Sequence, residues 1–215
     1  MRGQTGDEKN SGLTEDDIEI KVRNRAYLAA LKRSGTLDNF DCVKADVTDT
    51  EYLDVYEDLN YNLHNAHIAP VTTVLMQKTA DGAIIGFCQF SCGALKISDK
   101  EHSVVDLNCF ALDNRYHGKK LTVTDPADSS VTRPAAIANY FLSHCIDEIN
   151  RVSDNPFAEF IKLIAVANQL GFYSNYFSDA QVSGKFDPHF KVLVRWTEAG
   201  RELRAAKTAA EDGGE

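Results

Sequence analysis

The chain has 215 residues, of which 43% are apolar, and this is enough for one domain with a sizeable hydrophobic core. The net charge of −9 is concentrated at the ends, because residues 1–19 carry six acidic and two basic side chains and the last seven residues carry three acidic ones. The near-neutral body excludes the strongly basic balance of a dedicated nucleic-acid binder, although several cations crowd residues 21–33. No apolar run approaches the roughly 18 residues of a membrane span, and the polar N-terminus lacks the apolar stretch of a secretory signal.

The five cysteines are odd in number, scattered, and mostly placed within apolar runs. This pattern predicts reduced, buried thiols and a cytoplasmic protein rather than a disulfide framework. Cys88 and Cys92 share one face of a predicted strand, and His64 and His67 lie three residues apart. Neither pair has the further ligands of a metal site, so we predict that the chain binds no metal.

The N-terminal region is predicted to be helical after a short acidic segment. Residues 1–14 are polar and glycine-bearing, which is typical of a disordered N-terminus. The run Thr14-Glu15-Asp16-Asp17 has the form of a helix-starting cap, and it predicts a helix over residues 15–33. The alternation in the run IEIKV leaves a strand open as an alternative there.

A second helix and a set of strands follow. An apolar stripe at helical spacing predicts a second helix that is capped by Asp49 or Thr50, in a region that ends at Pro70. The turn residues Ala80-Asp81-Gly82 predict a hairpin between the first two strands, and Gly86 predicts a bulge or a close backbone contact. The three predicted strands are Val71–Lys78, Ala83–Cys92 and Ser103–Leu112.

The segment from Asp113 to Arg133 is predicted to be a long polar loop, and Pro134 is predicted to be the first residue of an amphipathic helix ending near Ser153. Further elements are a strand at Phe160–Val166, a short helix or turn at Phe172–Phe177, a half-buried strand at Phe190–Trp196 and a frayed C-terminal helix. This order predicts an α+β fold with a mixed sheet, in a single domain over residues 15–208 followed by an acidic tail at 209–215.

From Ala83 to Phe177 the chain resembles the GNAT N-acetyltransferases. In that family a strand ending in an apolar residue and Asp leads into a turn of the form R-G-x-G-x-G/A and then a helix, which hold the pyrophosphate of coenzyme A. Here LDNRYHGKKLT corresponds to that turn, and IKLIAVANQLGFYSNYF corresponds to the later strand, loop and aromatic pair. The resemblance implies a GNAT-like mixed central sheet flanked by helices. Upstream, FDCVKADVTDTEYLDVYEDL is similar to the toxin-type branch, whose members acetylate aminoacyl-tRNA.

The resemblance implies that acetyl-CoA is the cosubstrate, and it departs from the family pattern at the phosphate turn. Lys120 stands where the family has its second glycine, and Thr122 stands at the final small residue. Glycine allows the backbone to approach a phosphate closely, whereas a lysine supplies a point charge instead. The residues that the resemblance assigns to acetyl-CoA are Phe110, Ala111 and Leu112 for the pantetheine arm, His117, Gly118, Lys119 and Lys120 for the phosphates, and Asn168 at the start of the last short helix.

Two side chains are implied in the chemistry. Tyr173 matches the family tyrosine that protonates the departing coenzyme A thiolate, and a phenol is a suitable donor for that step. Asp106 lies on the strand that carries the base in some members, where it would take a proton from the attacking amine directly or through water. Each residue also has a simpler interpretation: Tyr173 as part of an aromatic cluster with Phe172, and Asp106 as part of a solvated strand face with Asn108.

Two functions from different classes follow from the resemblance. The first is an N-acetyltransferase that moves acetyl from acetyl-CoA to a primary amine without a metal. Its acceptor would be a small molecule or another amine-bearing substrate, and aminoacyl-tRNA follows if the toxin-type likeness holds. The second is a catalytically inactive GNAT-fold module that binds a partner through a degenerate loop. We predict no membrane partner, and the sequence leaves a homodimer open.

Overall fold

A computed structural model describes residues 10–43, 50–97, 99–152, 158–166, 169–180 and 190–212. Within these ranges the chain forms ten strands and five α-helices, with short 3-10 turns between some of them. The strands are β1 Asn10–Thr14, β2 Ile18–Arg23, β3 Thr72–Lys78, β4 Ile84–Ile97, β5 Lys100–Leu112, β6 Lys120–Asp125, β7 Asp128–Ala136, β8 Phe160–Val166, β9 Ser178–Asp179 and β10 Phe190–Trp196. The helices are α1 Arg25–Arg33, α2 Thr50–His64, α3 Ile137–Val152, α4 Leu170–Tyr173 and α5 Glu198–Asp212.

Seven strands hydrogen-bond in the order β2-β3-β4-β5-β8-β10-β9, and β1, β6 and β7 form a separate sheet. The large sheet is mixed, because β5 runs parallel to β8 whereas β10 runs antiparallel to it. This confirms the predicted α+β class with a mixed sheet and flanking helices. The chain divides into two compact units, the first comprising residues 1–89 and 109–146 and the second residues 90–108 and 147–215.

The start of the first unit combines the two alternatives that the sequence left open. Ile18–Arg23 form the strand β2, which pairs antiparallel with β3 from Ile18 opposite Lys78 to Arg23 opposite Thr73. The prediction of one helix over residues 15–33 is therefore wrong for this stretch, because its alternating side chains match a neighbouring strand. The helix α1 begins only after Asn24, whose side chain accepts a hydrogen bond of 2.9 Å from the amide of Tyr27.

The strand β1 lies within the segment that was predicted to be disordered. It pairs parallel with β6, with Asn10 opposite Lys120 and Thr14 opposite Thr122. The Ser11 hydroxyl donates a hydrogen bond of 2.6 Å to the Lys120 carbonyl. The order of Asn10–Thr14 thus comes from pairing with a strand more than 100 residues away, which the local polar composition does not reveal.

The core of the first unit lies between the helices α1 and α2 and the strands β3 to β5. The helix α2 begins at Thr50, which is therefore its first residue rather than its cap, and Asp49, the other predicted cap, lies outside the described residues. Phe40 and Phe87 meet edge to face with their ring centroids 5.6 Å apart. The buried members of this cluster are Leu28, Leu37, Phe40, Cys42, Leu63, Ala66, Leu75, Ile84, Phe87, Cys109 and Ala111.

Gly86 makes the close backbone contact that the sequence predicted. A Cβ atom at this position would lie 2.7 Å from Leu112 Cδ2 and 2.9 Å from the Ala111 carbonyl oxygen. The strands β4 and β5 therefore approach each other at Gly86 so closely that its side chain can be only a hydrogen atom. The predicted hairpin between β3 and β4 is also present, and its turn contains Gly82 at a φ of 70°.

The predicted loop from Asp113 to Arg133 is wrong, because most of it forms the antiparallel hairpin of β6 and β7. Leu121 and Val123 are buried while their neighbours on β6 are not, which is the alternation of a strand. Pro134 lies on β7, where it pairs with Thr122 of β6, and α3 begins at Ile137. The prediction that Pro134 starts the helix is therefore wrong. A proline is tolerated there because β7 is an edge strand.

In the second unit, β8 and β10 have the bounds that the sequence predicted and pair antiparallel along their full length. Leu95, Val104, Phe160 and Val192 form its apolar cluster. The helix α5 begins after Thr197, whose hydroxyl accepts a hydrogen bond of 2.8 Å from the amide of Gly200. None of the helices in the described part of the chain combines the length and the apolar character needed to cross a bilayer.

Candidate functional site

The turn that follows β5 is anchored by a buried carboxylate. Asp113 is fully buried, and its oxygens accept hydrogen bonds from Arg115 Nε at 2.6 Å and Nη2 at 2.8 Å. The amides of Arg115 and Asp41 also donate to this carboxylate. These hydrogen bonds from the Arg115 guanidinium to Asp113 raise the pKa of Arg115 above its ordinary value. The amide of Asn114 donates to the Asp41 carbonyl at 2.7 Å, so the turn is fixed to the segment around Asp41.

The four residues predicted to meet the phosphates are consecutive but differ in their surroundings. His117 Nε2 lies 2.9 Å from the Leu112 carbonyl oxygen, so the imidazole is turned back toward the end of β5. Gly118 is exposed at a φ of 70°, a conformation that favours glycine. Lys119 is half-buried, whereas Lys120 is exposed and is the first residue of β6. The turn therefore offers one exposed glycine with a positive φ and two neighbouring cations.

The hairpin of β6 and β7 brings the end of β7 back beside the start of β6. Lys120 pairs with Ala136, and the amide of Ile137 donates a hydrogen bond of 3.0 Å to the Lys119 carbonyl. The N-terminus of α3 therefore lies directly beside the turn at Gly118 and Lys119, although 17 residues intervene in the sequence. The first amides of a helix have no acceptor within the helix and carry partial positive charge, so they suit an anion.

The predicted pantetheine-binding residues Phe110, Ala111 and Leu112 end the strand β5, and their backbone groups are divided between its two edges. The amide of Asp113 donates to the Ile85 carbonyl on β4 at 2.8 Å. Because backbone groups alternate along a strand, those of Ala111 face β4 and those of Phe110 and Leu112 face the opposite edge. The pairing of β5 with β8 covers Val104–Leu107, and β5 continues to Leu112.

In the second unit, the predicted base Asp106 forms an ion pair with Lys162, its partner in the strand register. Lys162 Nζ lies 2.5 Å from Asp106 Oδ1, and the side chains are 18% and 21% exposed. A Cβ atom at Gly93 would lie 2.0 Å from Asp106 Oδ2. Sequence reasoning missed Lys162, although a lysine within the apolar run of β8 was a signal for a paired charge.

Tyr173 is the last residue of α4 and belongs to an aromatic cluster. Its ring meets Phe172 and Phe177 edge to face, with centroids 4.8 Å and 6.3 Å away. The Tyr173 carbonyl accepts hydrogen bonds from the amides of Tyr176 and Phe177, both at 2.9 Å, which fixes the turn after α4. Asn168 lies outside the described residues. Tyr173 and Asp106 belong to the second unit, and the other described candidate residues belong to the first.

The cysteines of the described residues are all free thiols, with Cys92 exposed and the other four buried. Burial raises the pKa of Cys42 and of Cys109 to about 12, so these thiols stay protonated and unreactive at neutral pH. Across the described ranges, no group of three or more His, Cys, Asp or Glu side chains is arranged to hold a metal ion.

No protein-family model matches this chain, and no curated protein matches it either. Its structure is similar to that of a mutant of the toxin AtaT bound to the C-terminus of the antitoxin AtaR and acetyl-CoA, with a TM-score of 0.55, 14% identity, and 88% and 99% of the two chains covered. AtaT complexed with acetyl-methionyl-tRNAfMet gives a TM-score of 0.55 at 14% identity and covers 87% and 99%. The KacTA–DNA complex gives a TM-score of 0.56 at 14% identity, with 88% of this chain and 99% of the other chain covered.

Identities at this level bear on the fold alone. The structural similarity confirms the predicted fold: this chain shares the fold of the AtaT and KacTA structures.

Proposed function

We propose that the chain is a GNAT-type N-acetyltransferase that transfers the acetyl group of acetyl-CoA to a primary amine. The observation that carries the proposal is the hydrogen bond between Ile137 and Lys119, because it brings the N-terminus of α3 beside the glycine turn at Gly118. A strand, a glycine turn and a helix N-terminus then follow one another in space, as coenzyme A binding in this fold requires. The acetyl-CoA in the similar AtaT complex supports the same cosubstrate.

The proposed binding mode uses the backbone more than side chains. The amides of His117, Lys119 and Ile137 already donate to backbone carbonyls. The pyrophosphate would therefore be held by the amide of Gly118 and by the amides that follow Ile137 in the first turn of α3. Lys119 and Lys120 would add positive charge in place of the missing glycines. The pantetheine arm would pair with the edge of β5 that carries the backbone groups of Phe110 and Leu112. His117 would keep the Leu112 carbonyl in place rather than contact a phosphate.

The proposed chemistry is a direct transfer. The amine nitrogen attacks the thioester carbonyl carbon, a C–N bond forms, and the C–S bond breaks. Asp106 receives the proton that the amine loses, and the Tyr173 hydroxyl gives a proton to the departing coenzyme A thiolate. The products are an N-acetylated amine and coenzyme A with a free thiol.

Aminoacyl-tRNA is the acceptor that we favour over a small molecule. The similar structure of AtaT with acetyl-methionyl-tRNAfMet supports this choice. The basic cluster of this chain contributes less than its sequence suggested, because Glu19 forms ion pairs with both Lys21 and Arg23. Exposed cations remain on α1 at Lys32 and Arg33, and these would contribute to phosphate contacts.

One observation favours the second function, an inactive interaction module. Lys120 and Thr122 belong to β6, which pairs with β1 on one side and with β7 on the other. The backbone amides of these two residues are therefore less available to phosphates than those of the glycine turn in the family pattern.

Calorimetric titration with acetyl-CoA at moderate salt separates the two functions. The transferase should bind acetyl-CoA at micromolar concentration, and replacing both Lys119 and Lys120 by alanine should weaken the binding about tenfold or more. Lys96→Ala is the matched control, because this lysine is exposed and its ion pair is with the equally exposed Asp99. No binding at millimolar acetyl-CoA would refute the transferase and leave the interaction module.

Turnover should then be measured by release of the coenzyme A thiol, with aminoacyl-tRNA and with small primary amines as acceptors. Tyr173→Phe should lower kcat by about 100-fold, because a general acid typically contributes a factor of this order. Tyr176→Phe is the matched control, since it removes a hydroxyl from the same aromatic cluster. Equal rates for the two variants would remove the acid role from Tyr173.

A further inference from the structure

Three neighbouring strands of the second unit contribute to one arrangement around Asp106. Lys162 on β8 lies directly opposite it, with Nζ 2.5 Å from Oδ1. On β4, Gly93 lies so close to Oδ2 that a Cβ atom would be 2.0 Å away. Within the described residues Oδ1 accepts no well-directed hydrogen bond, so the contact with Lys162 is mainly an attraction between charges. Lys162 therefore attracts one oxygen of the carboxylate, and the other oxygen occupies the space that the absent side chain of Gly93 leaves open.

This arrangement lies at a boundary on the sheet. On one side of Asp106 along β5 is Val104, a member of the buried apolar cluster with Phe160. On the other side is the exposed Asn108, whose amide donates a hydrogen bond of 2.9 Å to the Ser91 hydroxyl. The ion pair is one register position before the end of the pairing between β5 and β8. It is therefore sheltered on one side and reachable from the other.

Stability alone does not explain this pair. Removing two charges from water costs several kcal/mol per ion, and well-packed apolar residues often replace a buried ion pair without loss of stability. What the pair does provide is orientation, because a carboxylate held from two sides has little freedom to rotate. A proton acceptor benefits from such fixed geometry, since a small displacement from the reacting atom costs much of the rate.

We propose that Lys162 and Gly93 are positioning residues that hold the Asp106 carboxylate across three strands, in the orientation in which it accepts the proton of the acceptor amine. This inference rests on the acetyl transfer proposed above. It adds two residues to the site that the family resemblance does not assign, and it makes Asp106 and Lys162 one functional unit rather than a lone base and an unrelated lysine.

The test compares kcat and KM for acetyl-CoA in Lys162→Met, Lys162→Arg and Gly93→Ala. Lys162→Met removes the charge at similar volume, and we expect kcat to fall at least about tenfold with KM for acetyl-CoA changed less than about twofold. Lys162→Arg keeps the charge and should restore most of kcat. Gly93→Ala alters no charge, yet it must displace the carboxylate and should lower kcat as Lys162→Met does. Lys96→Met, at the exposed lysine of β4, should match the wild type.

A double variant keeps the test decisive if Lys162→Met folds poorly. Asp106→Asn combined with Lys162→Met leaves no uncompensated charge and should fold. If the two residues act as one unit, the double variant should lose no more kcat than Asp106→Asn alone. Additive losses would overturn the inference, as would a kcat for both Lys162→Met and Gly93→Ala equal to that of Lys96→Met.

The failure of this inference differs from the failure of the proposed function. If the wild type neither binds acetyl-CoA nor releases coenzyme A, the transferase itself is refuted. If the wild type turns over and the Lys162 and Gly93 variants do so equally well, only the positioning role is refuted. A loss that affects kcat and KM together and that arginine does not restore would indicate a purely structural pair, and it would also refute the role.

Discussion

Replacement of Gly86 by alanine is the sharpest single perturbation of the first unit. The new Cβ atom would lie 2.7 Å from Leu112 Cδ2, 2.9 Å from the Ala111 carbonyl oxygen and 3.0 Å from Phe141 Cε1. Favourable contacts between carbon atoms lie at about 3.5–4.0 Å, so each neighbour would have to move by several tenths of an ångström or more. The Leu112 side chain can rotate, but the Ala111 carbonyl belongs to the backbone of β5 and can move only with the strand.

The expected cost follows from overpacking in a closed core. Inserting one methyl group without room typically costs about 1–3 kcal/mol, and we take about 2 kcal/mol because one of the three neighbours is flexible. For a chain of this length, each kcal/mol lowers Tm by about 2–4 °C. Gly86→Ala should therefore lower Tm by about 4–8 °C. It should also weaken acetyl-CoA binding, because the displaced strand end carries the edge proposed for the pantetheine arm.

The assay is thermal unfolding followed by circular dichroism, together with titration of acetyl-CoA at a temperature where the variant is folded. Gly171→Ala is the matched control: among the described residues, no atom beyond its chain neighbours and its own helix backbone lies within 4 Å of the added Cβ, and alanine is favoured over glycine in a helix. A Tm for Gly86→Ala within about 1 °C of the wild type would refute the argument that β4 and β5 cannot separate at this point.

Three further predictions concern other parts of the chain. Asp113→Ala removes the acceptor of the Arg115 guanidinium and of two amides, so urea unfolding should show a free energy of unfolding lower by about 3 kcal/mol. A decrease below about 1 kcal/mol would contradict the anchoring role of Asp113. Iodoacetamide near neutral pH should alkylate Cys92 alone in the native protein, as judged by peptide mass mapping, because the other thiols are buried. Hydrogen bonds from the Thr124 side chain and amide lower the pKa of Glu15 below its ordinary 4.5. The resulting stability is present above pH 4.5 and is lost as the pH falls below it, so Thr124→Val should show a smaller loss of stability in that range, measured by urea unfolding against pH.

The sequence predicted those elements whose pattern is local. The alternation at Phe190–Trp196 and the apolar run at Phe160–Val166 predicted β10 and β8 with their bounds, because burial on the sheet repeats every two residues. The mixed fold followed from the order of elements. Gly86 was informative on its own, since a glycine inside a strand often marks a bulge or a close approach of two backbones.

The sequence failed where structure depends on a distant partner. The strand β1 is ordered by β6, and neither segment is apolar enough to reveal the pairing by itself. The hairpin was hidden because Pro134 suggested a helix start, whereas its ring occupies an edge position of β7. The ion pair of Asp106 joins two strands 56 residues apart, and only the register shows that they are opposite. Candidate residues were thus easier to find than their supporting neighbours.

The hairpin of β6 and β7 is closed at its base, because a hydrogen bond joins the residues on either side of it, Lys119 and Ile137. A longer or shorter hairpin between Lys119 and Ile137 would leave the distance between the glycine turn and α3 unchanged. The exposed tip between Asp125 and Asp128 would therefore accept a fluorophore, an affinity tag or a longer natural insertion. A reporter placed there would be joined through β6 to the glycine turn, where we propose that the phosphates of acetyl-CoA bind.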